Sequence, residues 1–338
     1  EFLSGDSISF LPTGCNVYQS YVKDSIPSLV STLGSLGYSK TAFHPYYGDG
    51  WNRRNVYPLL GFDNYISIED FVDQDILDTY KQNNDVTQYE TLLKERYPDR
   101  DMLLRRFVSD SYDYSMVENM FENRDTSKPF FLFNVTMQNH GGYAMSYTNF
   151  AQEIYVTNMS TVYPKANRYL SLVKRSDDAF RELTEYFSQV TEPTIICMFG
   201  DHLPSIEDEF YEKLFGTSLD NLTTEQQQLR YMTPFVIWAN YDIPEAQVDK
   251  LSVNYLSSLL LAQAGIQGTP YNDYLMKLSK TLPVINTVGI IDKEGQYFRK
   301  GDPTVHDREV LEYQQILYNN MLDTARRRND LFYPASDF

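Results

Sequence analysis

Cysteine is scarce in this chain. Its 338 residues hold two, Cys15 and Cys197, too few for a disulfide framework or a thiolate metal site. Cys197 lies in an apolar run and reads as a small core residue. Cysteine poverty is compatible with an extracytoplasmic bacterial protein. Basic charge is short as well: 29 Lys and Arg stand against 46 Asp and Glu, a net charge of −17. Such a chain carries no electrostatic footprint for a phosphodiester backbone, which excludes nucleic acid as a partner. No stretch approaches the roughly 18 apolar residues that a membrane-spanning helix needs. There is no initiator Met, and Glu1-Phe2-Leu3-Ser4-Gly5-Asp6 is not a signal peptide. The chain therefore reads as a piece of something longer. Histidine is sparse too, with four in all: His44, His140, His202 and His306.

What is present is aromatic and periodic. Tyr numbers 28 and Phe 20, and 42% of the chain is hydrophobic, enough for a core. Short apolar runs alternate with helical patterns. Tyr38 to His44, Phe130 to Met137, Thr194 to Phe199 and Pro234 to Ala239 read as strands. Pro164 to Gln189 has apolar residues every three or four positions and reads as a long helix, as does Asp249 to Ala264, closed by Gly265. This alternation predicts an α/β fold with a mostly parallel central sheet flanked by helices. Residues 64 to 128 are polar and read as a mostly helical insertion. After about residue 269 a small α+β element is expected: Leu282 to Ile291 with Gln296 to Phe298 as an antiparallel unit, then a closing helix over Val305 to Arg328. The division is thus 1–268 for the main domain and 269–338 for an extension packed on it. Arg105-Arg106 and Arg326-Arg327-Arg328 are read as surface charge.

Three of the four histidines follow a predicted strand, at the edge where open α/β sheets bind ligands. Phe199-Gly200-Asp201-His202 places a hard carboxylate beside an imidazole, a pair suited to a divalent metal. The same residues are equally readable as a capping Asp beside an incidental His. His44-Pro45-Tyr46-Tyr47-Gly48-Asp49-Gly50-Trp51-Asn52-Arg53 gathers His, Trp and Arg in a glycine-punctuated loop. Arg suits phosphate or sulfate oxygens, and Trp offers a flat wall. Met137-Gln138-Asn139-His140-Gly141-Gly142 is a third strand end, where Asn139 and His140 are candidate donors to an anionic oxygen.

These motifs, in this order, resemble the lipoteichoic acid synthases, phosphoglycerol transferases within the sulfatase and alkaline phosphatase superfamily. The resemblance runs from Glu1 to about Gly265. It implies a sulfatase-like fold and a metal-dependent reaction. A Thr nucleophile takes glycerophosphate from phosphatidylglycerol as a covalent intermediate and passes it to a glycolipid or teichoic-acid-type acceptor. It implies Asp201 and His202 as ligands of Mn²⁺ (or Mg²⁺ or Zn²⁺). His44, Trp51, Arg53 and His140 match the pocket for the phosphoglycerol head group. Where the family has an acidic residue two positions after the first His, this chain has Tyr46, and Asp49 is the nearby substitute.

The same resemblance puts the nucleophile Thr, a further metal-ligand Glu and one central strand upstream of Glu1. The expectation is then an enzyme on the extracytoplasmic side of a bacterial cell membrane, held there by N-terminal transmembrane helices outside this sequence. The chain alone is expected to be inactive. Two rivals stand beside this reading: a sulfatase or phosphodiesterase that transfers to water, and a non-catalytic anion-binding module.

Overall fold

In the computed structural model, which describes residues 1–334, a parallel sheet forms the centre. Ser28 starts its first flanking helix: the side chain accepts from Val30 N–H at 3.0 Å and caps Leu29–Ser35. The chain then enters β1 (Ser39–His44), whose Ala42, Phe43 and His44 are fully buried. β2 (Asn64–Ser67) runs parallel to β1, with Phe43 opposite Ile66. The polar stretch from residue 64 therefore opens with a sheet strand, which its low apolar content hides from sequence. Beyond it the insertion is mostly helical, as expected. Helices Gln74–Asn83 and Val86–Arg96 pack with a two-stranded hairpin, β3 (Leu103–Leu104) and β4 (Phe107–Val108), around Ile76, Leu77, Tyr89 and Leu93. Helix Asp110–Glu122 leads back to β5 (Phe130–Asn134), which lies parallel to β1 on its other side.

The long helix is Pro164–Ser188, with Pro at its first turn, where the missing N–H costs nothing. It buries Leu172, Ala179, Leu183 and Phe187. β6 (Ile195–Phe199) and β7 (Phe235–Ala239) follow the predicted runs, but they pair antiparallel with each other. Apolar runs mark strands without marking direction, so the sequence could not show this departure from the parallel arrangement. Among the described residues no hydrogen-bonded ladder joins β5 to β6. The ring of Phe2 occupies the interval, 6.1 Å from Phe133 and 4.7 Å from Phe199 between centroids.

The C-terminal part adds helices Val253–Gln263 and Pro270–Ser279 and an antiparallel sheet of β8 (Val284–Ile285), β9 (Gly289–Ile291) and β10 (Tyr297–Arg299). The closing helix is Asp307–Met321, shorter than the pattern suggested. Arg327 still reaches its end, donating from Nε to the Asn320 carbonyl at 2.9 Å. This region grips the first residues of the chain. Tyr313 donates to the Gly5 carbonyl at 2.6 Å, and Asn320 donates to the buried Asp6 carboxylate at 2.8 Å. Gly5 sits at φ +73°, and a Cβ there would lie 2.6 Å from Leu275 Cδ1, so only glycine fits. Burial pushes the Asp6 carboxyl up to about 7. Residues 335–338 of the expected 269–338 extension lie outside the described residues. No helix among those described is long and apolar enough to cross a membrane.

Candidate active site

His44 ends β1 and is completely buried. It donates its Nδ1–H to the Val135 carbonyl at 2.6 Å, which fixes the tautomer. Burial, and then the nearby Arg53 charge, push its pKa down to about 3, so the ring is neutral. Nε2 is then a bare acceptor, with no partner among the described residues.

The loop that follows turns through two left-handed residues, Trp51 at φ +55° and Asn52 at φ +67°. Neither is glycine, and such strain of about 1 kcal/mol per residue persists where surrounding contacts enforce it. Here Asn52 is tied to the Tyr18 carbonyl at 3.1 Å, and the Arg53 guanidinium lies 4.5 Å above the Trp51 ring. Arg53 also donates to Tyr57 Oη and the Gly50 carbonyl, with no carboxylate partner among the described residues. The ring of Trp51 lies 6.1 Å from His44 and 6.2 Å from His140. A shallow cavity of about 410 Å³ opens between Trp51, Arg53 and residues 14–18. Three expected residues, His44, Arg53 and His140, thus stand around the ring of a fourth, Trp51.

Two others are placed differently. Asp49 turns outward: its side chain is 90% exposed and pairs with Arg54 at 3.3 Å. Tyr46 stands inside instead, 6.0 Å from His44 and 6.3 Å from Trp51, so an aromatic wall occupies the place where the resemblance has an acid. Asn139 turns inward, and its Nδ2 donates to Ser176 Oγ on the long helix at 2.8 Å. It anchors the turn, while its neighbour His140 stays at the surface. Burial and the Arg106 charge lower the His140 pKa, and Asp201 and His202 also lie within its electrostatic range.

Asp201 and His202 leave β6 through Gly200, where an added Cβ would meet Thr233 Cβ at 2.9 Å. Asp201 Oδ2 and His202 Nε2 lie 3.5 Å apart, with side chains 82% and 71% exposed. Asp201 Oδ1 accepts from the His202 N–H at 2.9 Å, and His202 Nδ1 lies 2.9 Å from the Leu203 carbonyl. One carboxylate oxygen and one ring nitrogen are therefore presented side by side, a donor pair that fits Mn²⁺ or Zn²⁺. The described residues hold no group of three or more His, Cys, Asp and Glu side chains able to bind a metal. The pair would supply two of the four or more ligands such an ion takes. It borders a cleft of about 1230 Å³ that continues along Phe2, Phe133, Phe199 and Ile237.

Sequence reading missed the residues beneath this surface. Arg105, read as surface charge, is 1% exposed. Asp110, Gln138 and Ser176 form a buried network with Asn139. The signal available was a charge between two apolar pairs, Leu103-Leu104 and Phe107-Val108.

Known proteins resemble this chain in sequence and in fold. The chain is 29% identical over 310 residues to a putative cyclic beta-1,2-glucan modification protein of Rhizobium meliloti, covering 88% of this chain and 42% of that protein. It is 22% identical over 313 residues to a lipoteichoic acid synthase of Staphylococcus saprophyticus, covering 91% of this chain and 43% of the synthase. It thus spans less than half the length of the curated relatives it matches. Its fold matches the phosphoglycerol transferase GacH of Streptococcus pyogenes, solved with sn-glycerol-1-phosphate. That match has a TM-score of 0.69 and 16% identity, and it covers 98% of this chain and 74% of the other. The family model described as Sulfatase matches residues 2–266, from the Phe2 ring between the sheets to the end of the site-bearing region, and the chain belongs to the sulfatase family.

Proposed function

We propose that this chain carries the head-group site of a phosphoglycerol transferase. One observation carries the reading: a neutral His44 with a bare Nε2 acceptor stands near Arg53, a cation without a carboxylate partner among the described residues. An uncharged ring nitrogen that can only accept repels a phosphate oxygen and welcomes a hydroxyl. A guanidinium welcomes the phosphate. Together they read an alcohol and an anion on one small molecule, which describes glycerol phosphate better than sulfate or inorganic phosphate. Trp51 and Tyr46 wall the carbon chain between them, and His140 donates to an anionic oxygen from the opposite side.

The rest of the reading follows the family resemblance of the sequence. The donor is phosphatidylglycerol and the acceptor a glycolipid or teichoic-acid-type polymer or, as the name of the Rhizobium relative suggests, a glucan. Asp201 and His202 hold part of a Mn²⁺-type ion, which when bound offsets charge on the phosphoryl oxygens. A Thr serves as the nucleophile of the reaction. The whole enzyme is anchored at the extracytoplasmic face of a bacterial membrane.

Titration calorimetry tests the site. sn-Glycerol 1-phosphate should bind at least about tenfold more tightly than inorganic phosphate or sulfate. Arg53→Ala should weaken it by about 1.5–3 kcal/mol, the worth of a hydrogen bond to a charged group. Equal affinity for sulfate would move the assignment to a sulfatase-type hydrolase.

A further inference from the structure

The turn that carries His140 is held from below by two residues of the insertion. Arg105 sits at the tip of the β3–β4 hairpin in a left-handed conformation, φ +57°. Its own carbonyl is tied by Asn149 Nδ2 at 2.9 Å. From there the side chain runs inward, with its guanidinium 5.5 Å from the Phe107 ring and 5.4 Å from the Tyr143 ring. Its Nη2 donates to two carbonyls, Gln138 and His140, each at 2.7 Å. Among the described residues no carboxylate joins it, and its Nε and Nη1 have no partner.

A buried guanidinium with unmet donors is a poor way to stabilise a fold, since an apolar side chain of similar volume would do as well or better. What a guanidinium does and an apolar side chain cannot is fix two carbonyls two residues apart. That clasps the turn on both sides of Asn139.

The second hold comes five residues later. The Asp110 N–H donates to Gln138 Oε1 at 3.0 Å. Its carboxylate accepts from Ser176 Oγ, and Ser176 in turn accepts from Gln138 Nε2 at 3.1 Å and Asn139 Nδ2 at 2.8 Å. Backbone and side chains of 138–140 are thus both committed to fixed partners, and the His140 ring is the part left free. It meets Phe107, next in the hairpin after Arg106, at 5.6 Å and Trp51 at 6.2 Å.

We propose that Arg105 and Asp110 are positioning residues that hold the 138–140 turn and thereby set where the His140 ring meets the bound anion. The insertion is then part of the site, acting through His140 rather than on substrate. This rests on the reading of His140 as an anion-pocket residue, and the test separates the two.

Histidine ring NMR suits the full chain because it has only four histidines. In Arg105→Met the His44 and His306 signals should stay in place, showing an intact fold, while the His140 signal shifts or broadens. Affinity for sn-glycerol 1-phosphate should fall about tenfold, the usual cost of losing a support behind a functional group. Arg105→Lys should recover part of both, since an ammonium reaches one carbonyl. If Arg105→Met does not fold, Asp110→Asn, which keeps shape and backbone bond, carries the same readouts. An unmoved His140 signal with affinity within about twofold of the parent overturns the proposal. If His140→Ala binds as tightly as the parent while Arg105→Met moves the His140 signal, the brace stands and the anion-pocket reading fails.

Discussion

His44 and Asp201 both stand at the carboxyl end of a sheet strand, yet one has no exposed surface and the other keeps 82% of its side chain in solvent. The contrast extends to their neighbours. Around His44 the protein meets its own polar groups: Val135 fixes the ring, Trp51 stacks on Arg53, and a buried network holds the turn beneath His140. Around Asp201 the local bonds leave one oxygen and one nitrogen free. A pocket that recognises a shape gains from fixed geometry, because order set during folding is not lost again on binding. A carboxylate and imidazole that ligate an ion must keep their lone pairs open, and an ion bound there supplies the order.

Four changes break or sharpen that contrast. The largest effect is expected for Asp201→Ala. Loss of a direct ligand should reduce Mn²⁺ affinity by more than about 100-fold, above the cost of losing a group behind a ligand. Glycerol phosphate affinity measured without metal should barely change. An unaltered Mn²⁺ isotherm would remove the ion-binding half of the comparison.

Next is the pH dependence of stability. His44 titrates near 3 in the folded protein against an ordinary 6.5, so between those values the unfolded chain binds the extra proton. Its contribution to stability is therefore lost as pH falls through that window, by about 2–3 kcal/mol between pH 6.5 and 4.5. Asp6 and Asp110, raised to about 7 and about 6 by burial, act the other way. Their contribution is lost as pH rises from about 4. As pH falls from 6.5 to 4.5, denaturant melts should show the stability of His44→Phe changing about 2–3 kcal/mol more favourably than that of the parent, and equal slopes would contradict a neutral buried ring.

A smaller effect is expected for Gly200→Ala. The added Cβ must displace Thr233, and overpacking of this kind costs about 1–3 kcal/mol. Thermal melts should register that loss, with the β6–β7 exit and the Asp201 pair disturbed and the His44 signals unmoved. The smallest is expected for Asp49→Ala. Its exposed pairing with Arg54 is worth less than about 1 kcal/mol, so stability and head-group affinity should both stay near the parent. A clear loss of affinity would return Asp49 to the pocket.

The strands and the long helix were legible because aromatic runs and three-to-four spacing report burial directly. The strand-end positions of three histidines were legible with the strands, and the fold brings two of them, His44 and His140, to the Trp51 ring. What stayed hidden depends on partners distant in sequence. Asn139 and His140 are adjacent, and only the presence of Ser176 decides that one turns inward. Asp49 was nearest in sequence to the missing acid, but Arg54 draws it outward. Arg105 looks like surface charge until two carbonyls some 33 and 35 positions away are seen to accept from it. The antiparallel direction of β7 lies in its connection and not in its composition.

The Phe2 ring has a mechanical consequence. His44 ends β1 beside β5, whose following Val135 holds its ring, and Asp201 and His202 follow β6. Among the described residues the Phe2 ring packs against both sides, on Phe133 of β5 at 6.1 Å and on Phe199 of β6 at 4.7 Å. A packed ring can be made smaller or larger through Leu, Met or Trp. A series of Phe2 replacements is thus a graded way to change how the two strands sit against each other.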